Sequence, residues 1–210
     1  MPTLPYDLSA FRWLNGLAGT SHVFDFAAVV AAKWLIYVLA AAVLLAAVVS
    51  VSDRLWGGRR SRGVDGPVIA VRSLVAVALS AVDSAVLAMI LFRERPFVSL
   101  DGVRLLVDPP LLAKSFPSDH ATLAFALAVS VLMVNRRYGL PALAVAVLVA
   151  VGRVAVGVHF PLDVLAGALL GTAWAAVVGV VGNWYGDRQK ISGRLVRRSG
   201  SEEANRSKQL

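Results

Sequence analysis

Long apolar stretches alternate with short polar segments over most of this chain. A helix that crosses a membrane needs about 20 mainly apolar residues. Five stretches reach or approach that length, and we predict a transmembrane helix in each. They are residues 34–51, 67–92, 119–134, 140–158 and 161–184.

The two ends of the chain have a different pattern. Phe11, Leu14 and Leu17 are spaced for one face of a helix, which is too short to span and is predicted to lie in the membrane interface. It belongs to an N-terminal interfacial region, residues 1–33. Residues 185–210 are polar and charged, which predicts a basic cytoplasmic tail that is largely disordered. The predicted fold is therefore all-α: a polytopic membrane helix bundle with five transmembrane helices and an N-terminal interfacial helix.

The composition supports a membrane protein. Hydrophobic residues make up 58% of the chain and charged residues 16%, whereas soluble domains have about 45–50% and about 25%. The net charge is +8, but the basic residues lie in segments between apolar stretches and do not form one stripe. This distribution argues against nucleic-acid binding and indicates topology signals and contacts with anionic lipids. The absence of cysteine excludes disulfides and a thiol nucleophile.

The basic segments also predict the orientation in the membrane. They are the loop at 52–66, the loop at 135–139 and the tail, which all lie on one side of a five-helix bundle. Because cytoplasmic loops are enriched in Lys and Arg, that side is predicted to be cytoplasmic. The loop at 93–118 and the connection at 158–161 then face the other side, and these two segments carry most of the reactive residues.

The sequence around His120 predicts a helix start. Pro117 cannot continue a preceding helix, and Ser118 or Asp119 is a suitable N-cap. The unpaired backbone N–H groups at such a start can bind an anion. A polar helix start at a membrane boundary is common, so this signal is weak alone.

A second motif surrounds His159. Pro161 suits the first position of the last predicted transmembrane helix, so His159 lies just before it and Asp163 in its first turn. A carboxylate there can bind one imidazole nitrogen, fix the tautomer and leave the other nitrogen free. The alternative is that Asp163 only caps the helix.

Three arginines occupy unusual positions. Arg93 and Arg95 lie at the outer end of the second predicted helix, against the positive-inside rule, and Arg153 lies near the end of an apolar stretch. A charged side chain at membrane depth is costly, which makes it a candidate for function. The planar guanidinium group binds phosphate through two parallel hydrogen bonds.

Taken together, these motifs resemble the type-2 phosphatidic acid phosphatase superfamily. The resemblance covers about residues 67–184, and the segments around Arg95 and His120 look like the bacterial undecaprenyl-diphosphatase branch. The motifs that carry it are, in chain order, Arg95-Pro96, Pro117-Ser118-Asp119-His120, Arg153, and His159 with Asp163 four residues later.

The resemblance implies a role for each residue and makes residues 34–184 a membrane phosphatase domain. His159 would attack phosphorus and become phosphohistidine, oriented by Asp163, and His120 would protonate the leaving oxygen and then activate water. Positioned cations do most of the work in phosphoryl transfer. The sequence has no HExxH motif, no cluster of carboxylates and histidines with ligand spacing and no Walker loop, so no cofactor or metal is expected. The implied phosphate ligands are Arg95, Arg153 and Ser118.

The chain departs from the family pattern at three positions. The family lysine seven residues before the Arg-Pro pair is Ala88, and the family serine before the later arginine is Gly152. Asp119 stands where many members have glycine. Arg93 or Lys114 could replace the missing lysine as a phosphate ligand.

The resemblance implies an enzyme of a bacterial plasma membrane that acts on a lipid phosphate or diphosphate at its extracytoplasmic side. The leading substrate is undecaprenyl diphosphate, whose hydrolysis would recycle the carrier lipid of cell-wall synthesis. Phosphatidate, phosphatidylglycerol phosphate or a polyprenyl-linked sugar phosphate is the alternative. A lipid transporter or flippase is an alternative of another class, because Arg72 and Asp83 could line a path. The short chain and the paired histidine motifs favour an enzyme.

Overall fold

The computed structural model describes residues 4–55, 66–110 and 114–207. These parts of the chain are almost entirely helical, and they form no strand beyond one isolated bridge between Glu94 and Lys114. The all-α prediction is therefore confirmed. The helices are α1 (Pro5–Asn15), α2 (His22–Val29), a π-helical segment (Val30–Trp34), α3 (Leu35–Leu55), α4 (Gly66–Ile90), α5 (Pro96–Ser99), α6 (Asp119–Val134), α7 (Arg136–Ala155) and α8 (Pro161–Ser207).

Four helical stretches of the described chain are long and apolar enough to cross a membrane: His22–Val49, Gly66–Ile90, Arg136–Ala155 and Pro161–Gly186. The remaining predicted crossing, residues 119–134, is α6, which has the predicted bounds but only 16 residues. At 1.5 Å per residue it is about 24 Å long, below the roughly 30 Å of a hydrocarbon core. The bundle of several apolar helices is that of a multi-pass membrane protein.

The first membrane helix begins earlier than predicted. Helix starts at His22 and continues through the π-helical segment into α3, whereas the sequence pattern placed its start near residue 34. Asp25 and Lys33 interrupt the apolar run, but a continuous helix accommodates them in its N-terminal part. The N-terminal region predicted for residues 1–33 therefore contains the start of this helix.

Helix α1 buries a face that is only partly apolar. Asp7, Phe11 and Asn15, each four residues apart, are its buried residues, and Leu17, beyond its end, is exposed. Residues four apart lie on the same helix face, so two polar residues share this face with Phe11. The exposed side of α1 carries Trp13, as expected at a membrane interface.

Helix α8 is described to Ser207, so it extends into the polar tail predicted for residues 185–210. No proline follows Pro161, so no residue of this segment is unable to continue the helix. The predicted basic loop at 52–66 lies largely outside the described residues.

Close packing of α6 against α8 sets the position of the candidate site. A Cβ atom at Gly167 would lie 2.6 Å from the backbone oxygen of Ser118, and one at Gly171 would lie 2.2 Å from that of Thr122. Only glycine allows the two helices to approach this closely. The starts of both helices, where the two histidine motifs lie, are therefore held side by side.

Candidate active site

The imidazole of His159 is buried just before α8, and its hydrogen bonds define its tautomer. Nδ1 lies 2.8 Å from the backbone oxygen of Ser115, which can only accept a hydrogen bond. Nε2 lies 3.3 Å from Nη1 of Arg95, which can only donate. The proton is therefore on Nδ1, and the lone pair of Nε2 faces a guanidinium group.

The surroundings of His159 favour the neutral imidazole. Burial lowers its pKa well below the usual 6.5, and the positive charges of Arg153 and Arg95 lower it further. His120 also acts on this pKa as a nearby charge. Both histidines and both arginines therefore lie near one another, although they come from three separate parts of the sequence.

Asp163 is held by three donors, none of which is the imidazole. Its Oδ2 accepts from Ser115 Oγ at 2.5 Å and from the backbone N–H of Phe160 at 2.8 Å. Its Oδ1 accepts from Nη1 of Arg93 at 2.8 Å. Nδ1 of His159 lies 3.9 Å from Oδ2, beyond hydrogen-bond distance. The carboxylate therefore reaches the imidazole through Ser115, whereas the sequence pattern suggested direct contact.

The two arginines of the motifs are both buried near His159. Nη1 of Arg95 also donates to the backbone oxygen of Val158 at 3.1 Å. Burial lowers the pKa of Arg95, while Asp119 and Asp163 raise it. Nη1 of Arg153 donates to the oxygen of Ala32 in the π-helical segment at 3.3 Å, and no described residue hydrogen-bonds to its Nε.

The start of α6 completes the site. The backbone N–H of Ser118 donates to the oxygen of Asp163 at 3.0 Å, which ties this start to the first turn of α8. The side chain of Ser118 is fully buried, and no described residue hydrogen-bonds to its Oγ. His120, two residues on, is half-buried. A buried hydroxyl without a described partner, at a helix start, is suited to bind an anion.

Comparison with known families decides what kind of site this is. Residues 69–186, more than half of the chain, match the PAP2 superfamily. The chain belongs to the PAP2 superfamily. The resemblance inferred from the histidine and arginine motifs is thereby confirmed.

Three relatives of this PAP2 protein cover most of its length. The putative undecaprenyl-diphosphatase YbjG of Escherichia coli is 31% identical over 90% of this chain and 88% of its own. The undecaprenyl-diphosphatase BcrC of Bacillus subtilis is 29% identical over 74% of this chain and 73% of its own. The bacitracin transport permease protein BcrC of Bacillus licheniformis is 26% identical over 82% of this chain and 78% of its own.

The crystal structure of LpxE from Aquifex aeolicus has a similar fold. It superposes with a TM-score of 0.62 and 25% identity, covering 83% of this chain and 95% of LpxE. Family, relatives and fold agree on the class of reaction. This PAP2 protein is a membrane enzyme that hydrolyses a lipid phosphate or diphosphate.

The two candidate replacements for the family lysine are both paired with carboxylates. Arg93 binds Asp163 and Asp7, and Nζ of Lys114 lies 3.1 Å from Oδ2 of Asp119. Asp119 also accepts from Ser84 Oγ at 2.7 Å. The structure therefore places Arg93 behind Asp163, and Lys114 next to the start of α6.

The glycine that replaces the family serine lies at a close helix contact. A Cβ atom at Gly152 would lie 2.7 Å from the backbone nitrogen of Ala32 and 2.9 Å from Cβ of Ala31. The π-helical segment thus packs directly on the residue before Arg153. A π-helical segment is rare and often occurs at functional sites.

Sequence analysis missed two residues of this network. Ser115 lies in the motif around His120, but only its contacts show that it joins His159 to Asp163. Asp7 is buried and binds Arg93 and the start of α8. Its spacing from Phe11 and Asn15 on one helix face was the available signal.

Asp83, considered for a transport path, accepts a hydrogen bond from Trp174 Nε1 at 2.9 Å. Arg72 donates to Oδ1 of Asn183 at 2.9 Å. Both side chains therefore link α4 to α8, which gives each a structural role.

Proposed function

We propose that this enzyme hydrolyses undecaprenyl diphosphate, or a closely similar polyprenyl diphosphate, through a phosphohistidine intermediate at His159. The observation that carries the mechanism is the tautomer of His159, since a neutral imidazole with its lone pair on Nε2 is the nucleophilic form. The names of the relatives from Escherichia coli and Bacillus subtilis support the substrate.

In the first step, Nε2 of His159 attacks the terminal phosphorus, and the bond from phosphorus to the bridging oxygen breaks. His120 gives its proton to that oxygen, so the polyprenyl monophosphate leaves. The imidazole becomes cationic as the N–P bond forms. Its Nδ1–H keeps donating to the backbone oxygen of Ser115. The carboxylate of Asp163 accepts from the hydroxyl of the same serine and lies 3.9 Å from Nδ1.

In the second step, His120 accepts a proton from a water molecule that attacks the phosphohistidine. The N–P bond breaks, inorganic phosphate leaves, and His159 returns to the neutral tautomer. Both steps spread negative charge over three phosphoryl oxygens, which positioned cations stabilise. Arg95 and Arg153 supply that charge, and Ser118 Oγ and Nε of Arg153 are donors without a described protein partner.

The proposed site lies on the extracytoplasmic side of a bacterial plasma membrane. It is built where α6 and α8 begin and α7 ends, whereas the basic residues Arg136 and Arg137 lie at the start of α7. Basic residues favour the cytoplasmic side and contact with anionic lipids. This arrangement requires α6 to be a fifth crossing, with α1 in the interface. Because α6 is surrounded by α4, α7 and α8, its short length does not expose polar backbone to lipid.

A substrate panel on purified protein in detergent tests the proposal. We expect faster phosphate release from polyprenyl diphosphate than from phosphatidate, phosphatidylglycerol phosphate or a polyprenyl-linked sugar phosphate. With substrate labelled at the terminal phosphorus, acid-labile label should stay on the wild-type protein and be absent from His159→Ala.

The outcomes are distinct. Preference for another lipid would move the substrate to that class and leave the mechanism intact. Unchanged release by His159→Ala would overturn the assignment of the nucleophile. Lipid movement across proteoliposomes without phosphate release from any lipid would favour a transporter.

A further inference from the structure

Helix α1 places a buried carboxylate behind the candidate active site. The side chain of Asp7 is almost fully buried. Its Oδ2 accepts from Nη2 of Arg93 at 2.5 Å, and its Oδ1 accepts from the backbone N–H of Leu162 at 2.9 Å. Leu162 is in the first turn of α8, one residue before Asp163, so Asp7 binds two parts of the same site.

Arg93 lies between two carboxylates. Nη2 contacts Asp7, and Nη1 donates to Oδ1 of Asp163 at 2.8 Å. The guanidinium group lies over the ring of Phe160, 3.9 Å from its centroid, and that ring packs on Phe11 of α1 at 5.4 Å between centroids. Two nitrogens of Arg93 therefore bind carboxylates, and we call these three residues the Asp7–Arg93–Asp163 chain.

The charge of this chain depends on Asp7. One guanidinium and two carboxylates leave one net negative charge, whereas Arg93 and Asp163 alone would leave none. The negative charge matters when the imidazole of His159 becomes cationic, because interactions between buried charges are weakly screened. A neutral side chain at position 7 could still accept the bond from Leu162, but it could not balance Arg93.

We propose that Asp7 is a positioning residue that neutralises the charge of Arg93. The negative charge of Asp163 is then available to stabilise the cationic His159 during phosphoryl transfer. The proposal rests on the phosphohistidine mechanism given above. It makes α1 a part of the active site in addition to an interfacial helix. The effect of Asp7 should appear in the rate of His159 phosphorylation and not in substrate affinity.

Charge-restoring variants test this directly. We expect Asp7→Asn to lower the rate of phosphohistidine formation and kcat about 10-fold, with little change in KM. The double variant Asp7→Asn/Arg93→Gln again leaves one net negative charge, so its rate should rise back towards the wild-type value. The rate of phosphohistidine formation is measured by rapid quench at the same pH for every variant.

Asp108→Asn is the matched control, because Asp108 is 98% exposed and its nearest cation, Nζ of Lys33, is 4.0 Å away. It should keep the wild-type rate. A double variant no faster than Asp7→Asn, or an unchanged rate in Asp7→Asn, would overturn the proposal. If Asp7→Asn does not fold, the double variant decides: it must phosphorylate within about threefold of wild type.

Failure of the proposed function has a different signature. In that case the wild-type enzyme releases phosphate without any acid-labile label on the protein. Vanadate mimics the five-coordinate phosphorus, and we would then expect it to bind wild type and Asp7→Asn equally tightly. The role inferred for Asp7 would fall together with the phosphohistidine mechanism. Labelled wild type with equally fast Asp7→Asn refutes the role of Asp7 alone.

Discussion

The backbone oxygen of Ser115 accepts from Nδ1 of His159 at 2.8 Å, while the hydroxyl of the same serine donates to Asp163 at 2.5 Å. One residue thus fixes the tautomer of the imidazole and connects it to the carboxylate. Because the acceptor is a backbone atom, no side-chain substitution removes it. The carboxylate contributes charge and holds Ser115, and the tautomer does not depend on it alone.

Asp163→Asn should therefore slow the enzyme without stopping it. The amide oxygen still accepts hydrogen bonds, but the negative charge near the cationic imidazole and opposite Arg93 is lost. We expect kcat to fall about 100-fold, with KM changed less, in steady-state phosphate release. Ser115→Ala keeps the backbone oxygen and should lose less activity. A loss for Asp163→Asn as complete as for His159→Ala would show that the carboxylate acts directly.

The pH dependence should reflect the depressed pKa of His159. Burial and the charges of Arg153 and Arg95 lower this pKa below 6.5, so the imidazole stays neutral as the pH falls through the range where a free histidine protonates. The acid limb of kcat/KM should therefore lie below pH 6.5. Phosphorus NMR titration of the substrate is the control, because its phosphate also ionises. An enzyme limb at or above 6.5, absent from the substrate titration, contradicts this assignment.

Sequence patterns predicted those parts of the protein that local chemistry determines. Pro161 and Ser118 mark helix starts, and the apolar stretch after Asp119 gave the bounds of α6 correctly. The first membrane helix was started too late because Asp25 interrupts its apolar run. Hydropathy weighs each charge alone and does not register that a helix end at the interface tolerates it.

The ion pairs of the site left no local pattern. Arg93 pairs with Asp163, 70 positions away, and with Asp7, 86 positions away. The sequence shows that Arg93 could bind phosphate, but it does not show that Asp7 and Asp163 already form ion pairs with its guanidinium group. Asp7 lies on a helix that was predicted to be interfacial from its apolar residues alone.

Lys114 and Asp119 give a test of whether Lys114 replaces the family lysine. Nζ of Lys114 lies 3.1 Å from Asp119, the first residue of α6 and the neighbour of His120. Lys114→Ala leaves this carboxylate without its cation near the phosphoryl site, so we expect KM to rise about threefold or more. In the double variant Lys114→Ala/Asp119→Ala, KM should return towards the wild-type value. A double variant as impaired as Lys114→Ala would identify Lys114 as a direct phosphate ligand.

Restoring the family serine at position 152 should damage this enzyme. A Cβ atom there would lie 2.7 Å from the backbone nitrogen of Ala32, so the π-helical segment must move away from α7. Overpacking of this kind costs about 1–3 kcal/mol, and the displaced Ala32 oxygen no longer orients Arg153. We expect Gly152→Ser to lower the thermal midpoint in detergent, followed by tryptophan fluorescence, and to raise KM.

Gly186→Ser is the matched control, because a Cβ atom at Gly186 meets nothing within 4 Å. Equal midpoints for the two variants would show that α2 and the π-helical segment adjust freely, and that the close contact at Gly152 does not position Arg153.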